Sequence, residues 1–308
     1  MGNAKVFAGK VAFVTGSSRG IGRVVATHLA KLGACVAIQG TTPISTRAFN
    51  EAESLAAVCR GIELESEGTV LAVHGDLTVP DVVQSVSEEI REVFGRIDIL
   101  VNCAGGDIGA AGTDGPMGGK PPRNDAVFIS YEDLCTVLDR NLMTCLLVCR
   151  QVVPDMIERR SGRIVNIGSV DGLIGQAESA IYATAKAAVH EYTRCLAVML
   201  RPHNVTANVI APGDIVTPRF LSSRPIVVGL IVGPHNGPGV PNWPHARIAF
   251  PGKKDRRYWS VEPMGRYRMR CRDSSTDITT PRVNATADSF RTVAPQFDRS
   301  YEHSGVNA

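Results

Sequence analysis

Tyr182 and Lys186 stand four residues apart in AIYATAKAAVHEYTRCLAVML, a segment of helical composition. At that spacing their side chains project from one helical face, one turn apart. Ser169 lies thirteen residues before Tyr182, just after the β-like run RIVNIG. A hydroxyl, a phenol and an ammonium in this arrangement suit carbonyl reduction. Hydride addition to a ketone carbon creates an alkoxide, which needs a proton donor and a partner for its oxygen. Ser169 would hold the oxygen and Tyr182 would supply the proton. A free tyrosine titrates near ~10, and an ammonium at ~4 Å in an effective dielectric of ~20 attracts a phenolate by about 4 kcal/mol. Lys186 is therefore expected to pull the Tyr182 pKa down.

Such chemistry requires a hydride carrier. The run Thr15-Gly16-Ser17-Ser18-Arg19-Gly20-Ile21-Gly22 follows a predicted strand and opens a predicted helix. Glycines there let the backbone turn tightly against a pyrophosphate, whose charge meets the free N–H groups and positive dipole end of the helix. The second strand ends in Gln39-Gly40-Thr41-Thr42, without the acid that would accept hydrogen bonds from adenosine ribose hydroxyls. Arg19 in the glycine loop suits a 2′-phosphate through charge-assisted bonds. NADP(H) is thus expected over NAD(H), with Arg19, Thr41 and Thr42 on the phosphate side.

These residues must be positioned by a regular scaffold. Apolar runs at Val11–Thr15, Cys35–Gln39, Thr69–His74, Ile97–Asn102, Arg163–Gly168 and Val205–Ala211 read as strands. They alternate with helical patterns near Gly20–Leu32, Thr46–Arg60, Pro80–Phe94, Tyr131–Arg159 and Ala180–Arg201. That alternation predicts an α/β fold, a doubly wound parallel sheet in a Rossmann-like three-layer sandwich. Gly105–Asp125 is rich in glycine and proline and reads as an exposed loop beside the site. After Phe220 the rhythm stops, so residues 1–220 are expected to form a dinucleotide-binding catalytic domain. Residues 221–308 read as an irregular, basic Pro/Arg-rich tail in which only Ile226–Val232 suggests a strand.

The chain has 308 residues and a net charge of +3, which gives no reason to expect a nucleic acid or a membrane as partner. Its eight cysteines are scattered without a Cys-x-x-Cys pair and read as reduced thiols. With no signal-peptide pattern, a cytoplasmic location is expected. His28, His74 and His190 lack metal-ligand spacing, so no metal is expected.

The glycine loop, Asn102-Cys103-Ala104-Gly105, Ser169 and Tyr182-x-x-x-Lys186 together resemble the short-chain dehydrogenase/reductase family over about residues 8–220. Within it the chain is most similar to 3-oxoacyl-[acyl-carrier-protein] reductase-like members. The resemblance implies that Asp76, with Leu77 beside it, contacts adenine. It also implies that Asn102, Ala104 and Gly105 line the cofactor, and that Pro212, Gly213 and Thr217 flank the nicotinamide. Lys186 would also hold the nicotinamide ribose, and Asn141 would order a water linking Lys186 to solvent. Members assemble as homodimers or homotetramers and act on small carbonyl or alcohol substrates. They end in substrate-binding helices and a seventh strand with an Asp-Gly-Gly-like turn, absent from Leu221–Ala308. That ending fits either divergence or a shifted reading frame upstream of about Ile226. The leading expectation is an NADP(H)-dependent ketone or alcohol oxidoreductase. Its rival is a nucleotide-binding protein of the same fold that turns over little.

Overall fold

The computed structural model describes residues 5–223, 257–262 and 266–271. Six strands form one sheet: β1 (Val11–Val14), β2 (Cys35–Gly40), β3 (Val70–His74), β4 (Ile99–Asn102), β5 (Gly162–Ile167) and β6 (Val205–Ile210). Their order is β3-β2-β1-β4-β5-β6, and every pairing is parallel. The strands of a sheet covered on both faces read as nearly continuous apolar runs, as VAFV of β1 and ILVN of β4 do. Phe13, Leu100 and Ile164 face one core, with Ile90, Val152, Met156 and Leu200. Val14, Val36 and Ile38 face the other, with Ala26, Ala30, Val58 and Ile62. The expected doubly wound α/β sandwich is therefore present. Strand order reverses direction between β1 and β4, and a crevice opens at the carboxyl ends of the strands there.

The helices are α1 (Gly20–Lys31), α2 (Leu55–Ser66), α3 (Pro80–Phe94), α4 (Tyr131–Leu138), α5 (Thr144–Glu158), α6 (Ala180–Leu200) and the short α7 (Pro218–Ser222). Two differ from the sequence pattern. The helix expected over Thr46–Arg60 is split, because Asn50 adopts a left-handed conformation after the 3-10 turn Ser45–Phe49. Helix α2 then starts anew where the Ser54 side chain accepts from Ala57 N at 3.1 Å. The expected Tyr131–Arg159 helix is interrupted by a π-helical segment, Asp139–Met143, between α4 and α5. Such bulges recur at functional sites, and this one carries Asn141.

The chain divides into two compact units, Met1–Ile231 and Val232–Ala308. Within the second, β7 (Arg257–Glu262) and β8 (Arg266–Cys271) pair antiparallel. These two strands lie within the stretch expected to be irregular. RYRMRC alternates Arg with Tyr, Met and Cys at the period of a strand, a signal that outweighs the basic composition. The possible strand Ile226–Val232 lies outside the described residues.

Candidate active site

A cavity of about 1150 Å³ opens at the switch point, and it draws its walls from all six strand ends. On one side lies the glycine loop. A Cβ on Gly16 would sit 2.6 Å from the Ala104 Cα, so only glycine lets β1 and β4 end this close together. Thr15 ties the same two ends, its Oγ1 accepting from Cys103 N and Ala104 N at 3.0 Å each. Gly16, Ser18, Arg19, Gly20, Ile21 and Gly22 all line the cavity.

Gln39 explains the absence of an acid at the end of β2. Its Oε1 accepts from Gly16 N at 2.9 Å and its Nε2 donates to Gly75 O at 2.8 Å, so the amide bridges the glycine loop to the end of β3. Thr41, Asp76 and Leu77 line the cavity beyond it, whereas Thr42 does not. Arg19 donates to Ser45 O and lies over the Phe49 ring at 5.2 Å. Burial lowers its pKa, and Glu51 opposes that effect.

Ser169, Tyr182 and Lys186 meet at the other end. Ser169 caps a 3-10 turn, its Oγ accepting from Asp171 N at 3.1 Å, which leaves the hydroxyl proton free to turn to Tyr182. Lys186 Nζ donates to Ile167 O at 2.9 Å and stands 5.7 Å from the Tyr182 ring centroid. The ammonium is thus held on a strand-end carbonyl. The expected depression of the tyrosine is not found: burial pushes Tyr182 up to about 12, against a hydrogen bond from Ser169. Desolvation of the enclosed phenol is the largest cause, and the charges of Asp171 and Asp107 add to it. Lys186 is itself lowered by burial.

Two of the residues singled out by resemblance lie outside the cavity lining. Asn102 is buried beneath it, donating to Asn166 Oδ1 at 2.9 Å and to Cys149 Sγ at 3.2 Å. Asn141 lies in the π segment with its amide engaged by backbone. Its Oδ1 accepts from Gly106 N at 2.8 Å, and its Nδ2 donates to Gly106 O and Val137 O at 2.9 Å each. It thereby clamps the Gly106 backbone in the loop whose Gly105 lies beside Lys186. Ala104, Gly105, Pro212, Gly213 and Thr217 line the cavity as expected.

Sequence reasoning missed several groups here. His190 Nε2 accepts from Ser169 N at 3.3 Å, and burial lowers its pKa, which favours the neutral ring that can accept. His190→Leu should leave that amide unpaired and lower stability by about 1–3 kcal/mol in urea unfolding, with a fall in kcat that His190→Gln partly restores. The Gly105–Asp125 stretch is folded rather than open. Ile108 is buried, and Asp107 Oδ2 accepts from Asn124 Nδ2 and Ser179 Oγ at 2.7 Å each. Arg219 of α7 donates to Asp107 O at 2.6 Å, strapping α7 to this loop. Arg140 and Arg219 both line the cavity, and each has a buried Nε without a hydrogen-bond partner.

The model of the family described as short chain dehydrogenase matches residues 10–225. The chain belongs to the short-chain dehydrogenases. It is 35% identical over 211 residues to the 3-oxoacyl-[acyl-carrier-protein] reductase FabG of Escherichia coli (strain K12), covering 68% of this chain and 75% of that protein. It is also 35% identical over 219 residues to the cyclohexanol dehydrogenase of Rhodococcus sp. (strain TK6), covering 69% and 76%. Among solved structures it is similar to L-sorbose reductase from Gluconobacter frateurii complexed with NADPH and L-sorbose, with a TM-score of 0.59 and 29% identity over 71% of this chain and 73% of that one. An NAD+-bound xylitol dehydrogenase matches with a TM-score of 0.58 and 28% identity over 67% of this chain and 71% of that one. Membership makes the chain an oxidoreductase that uses a nicotinamide cofactor on alcohol or carbonyl groups. The residues present fit that group: the glycine loop, Arg140, Arg219 and Tyr182 line one cavity, and the buried Nε of each of the two arginines lacks a hydrogen-bond partner. No helix among the described residues is long and apolar enough to cross a membrane.

Proposed function

We propose that the protein is an NADP(H)-dependent reductase of ketones, with residues 1–220 as its catalytic domain. The observation that carries this reading is the convergence of Ser169, Tyr182 and Lys186 on the same cavity as the glycine loop and Arg19. Bound there, the cofactor supplies hydride to the carbonyl carbon. Ser169 holds the carbonyl oxygen through its hydroxyl proton. Tyr182 donates its phenolic proton to that oxygen as charge develops on it, giving the secondary alcohol. Lys186, anchored on Ile167 O, stabilises the phenolate left behind until solvent reprotonates it. Asn141 is a positioning residue that fixes Gly105 and Gly106 against Lys186. Arg19 and Thr41, which line the cavity, favour the 2′-phosphate of NADP(H).

The protonation state of Tyr182 suits its role as proton donor when the carbonyl is reduced. A phenol raised to about 12 stays neutral and able to donate below that pH. Reduction should therefore be flat in kcat/KM between about pH 6 and 9, while oxidation of the alcohol, which needs the phenolate, should climb across the same range. Parallel pH profiles in both directions check this, and an oxidation optimum on the acid side would contradict it. Cofactor choice is tested by titrating NADPH and NADH against the purified protein, with NADPH expected to bind more tightly. Exposed Val198 and Met199 on α6 support assembly as a homodimer or homotetramer through the α5 and α6 helices.

A further inference from the structure

The glycine loop of this chain already holds an anion of its own. Helix α1 begins with no acidic residue in its first turn, and Arg19 at its N-cap makes no side-chain capping bond. Glu51 fills that role from outside the helix, its Oε2 accepting from Gly20 N at 2.9 Å. Its backbone carbonyl accepts from Arg23 Nη1 at 3.1 Å, which fixes the segment against α1. The second carboxylate oxygen, Oε1, is buried without a hydrogen-bond partner. Glu51 lines the cavity together with Arg19, Gly20 and Thr41, and its charge acts on the Arg19 guanidinium.

We propose that Glu51 is a specificity-determining residue that competes with the cofactor's phosphates for the glycine loop and for Arg19. This rests on the reading that the cavity takes a nicotinamide dinucleotide. Free N–H groups at a helix N-terminus bind either a carboxylate or a phosphate, and two anions do not share the Gly20 N–H. An arriving dinucleotide has to displace the carboxylate, which one side-chain hydrogen bond and an orphaned oxygen hold only loosely. A 2′-phosphate adds nearly two further negative charges beside Arg19, so the competition is sharper for NADP(H) than for NAD(H). The position is one that no strand-end rule would find, because Glu51 lies beyond the 3-10 turn rather than at the end of β2.

The test compares the full-length protein with Glu51→Gln and Glu51→Asp, using fluorescence titration of NADPH and NADH and thermal unfolding with and without inorganic pyrophosphate. Glu51→Gln should tighten NADPH about tenfold and NADH by less, and pyrophosphate should raise its unfolding midpoint more than that of the wild type. Glu51→Asp, whose shorter side chain withdraws from Gly20 N, should fall between the two and shows that the response is graded rather than a failure to fold. Unchanged or weaker NADPH binding in Glu51→Gln would overturn the proposal, as would equal protection by pyrophosphate in both proteins. Weakening of NADH alone would make Glu51 a partner of the ribose hydroxyls and overturn it too. A wild type that prefers NADH, with pyrophosphate still favouring the Gln variant, would refute the NADP(H) reading and leave the competition standing.

Discussion

Tyr182→Phe should lower kcat for carbonyl reduction by about 10³-fold while leaving NADPH affinity close to that of the wild type. The substitution removes one oxygen from a side chain whose ring stays packed near Lys186. Lys186 keeps its bond to Ile167 O, and Ser169 keeps the Asp171 N–H, so the scaffold around the missing hydroxyl is unchanged. Only the proton route is cut. Steady-state kinetics and a fluorescence titration on the same preparation separate the two effects. Retention of most of the turnover would remove Tyr182 from the chemistry, and an equal loss in cofactor affinity would show damage to the fold instead.

Gly22→Val should abolish measurable cofactor binding and destabilise the protein by about 2–4 kcal/mol. A Cβ at this position lies 2.4 Å from Gly16 O and 2.9 Å from both Gly16 C and Ser17 Cα. All three are backbone atoms, so no side chain can rotate away to make room. The glycine loop would have to move off α1, and Gly16 would lose its close approach to Ala104. Urea unfolding and NADPH titration read the two losses separately. A variant of wild-type stability that still binds NADPH would contradict the packing described for the loop.

What the sequence revealed follows from how locally each signal is written. The Tyr182–Lys186 pair is legible because a helix repeats every 3.6 residues and both groups sit on one turn. The glycine loop is legible because its residues are contiguous and its context is strand, turn, helix. Glu51, Arg140 and Arg219 enter the same cavity from three separate segments, and no spacing rule joins them. Arg219 meets Asp107 across 112 residues of sequence, a contact that only the folded sheet creates. The raised Tyr182 pKa is not legible in the sequence for a related reason: charge separation can be judged from a helix, whereas burial depends on everything packed around it. Asn141 falls inside the expected Tyr131–Arg159 helix, but its partners, Gly106 and Val137, depend on a π bulge that composition does not announce. The alternation in Arg266–Cys271 was present in the sequence and was masked there by the strongly basic composition.

The central claim is that the cavity transfers hydride from NADPH to a carbonyl. It is tested most directly by following NADPH absorbance with the wild-type protein against small ketones and 3-oxoacyl thioesters, with the product quantified. The account predicts carbonyl-dependent loss of NADPH matched one-to-one by secondary alcohol for at least one member of the panel. Tight NADPH binding with no carbonyl-dependent consumption by any member would contradict it.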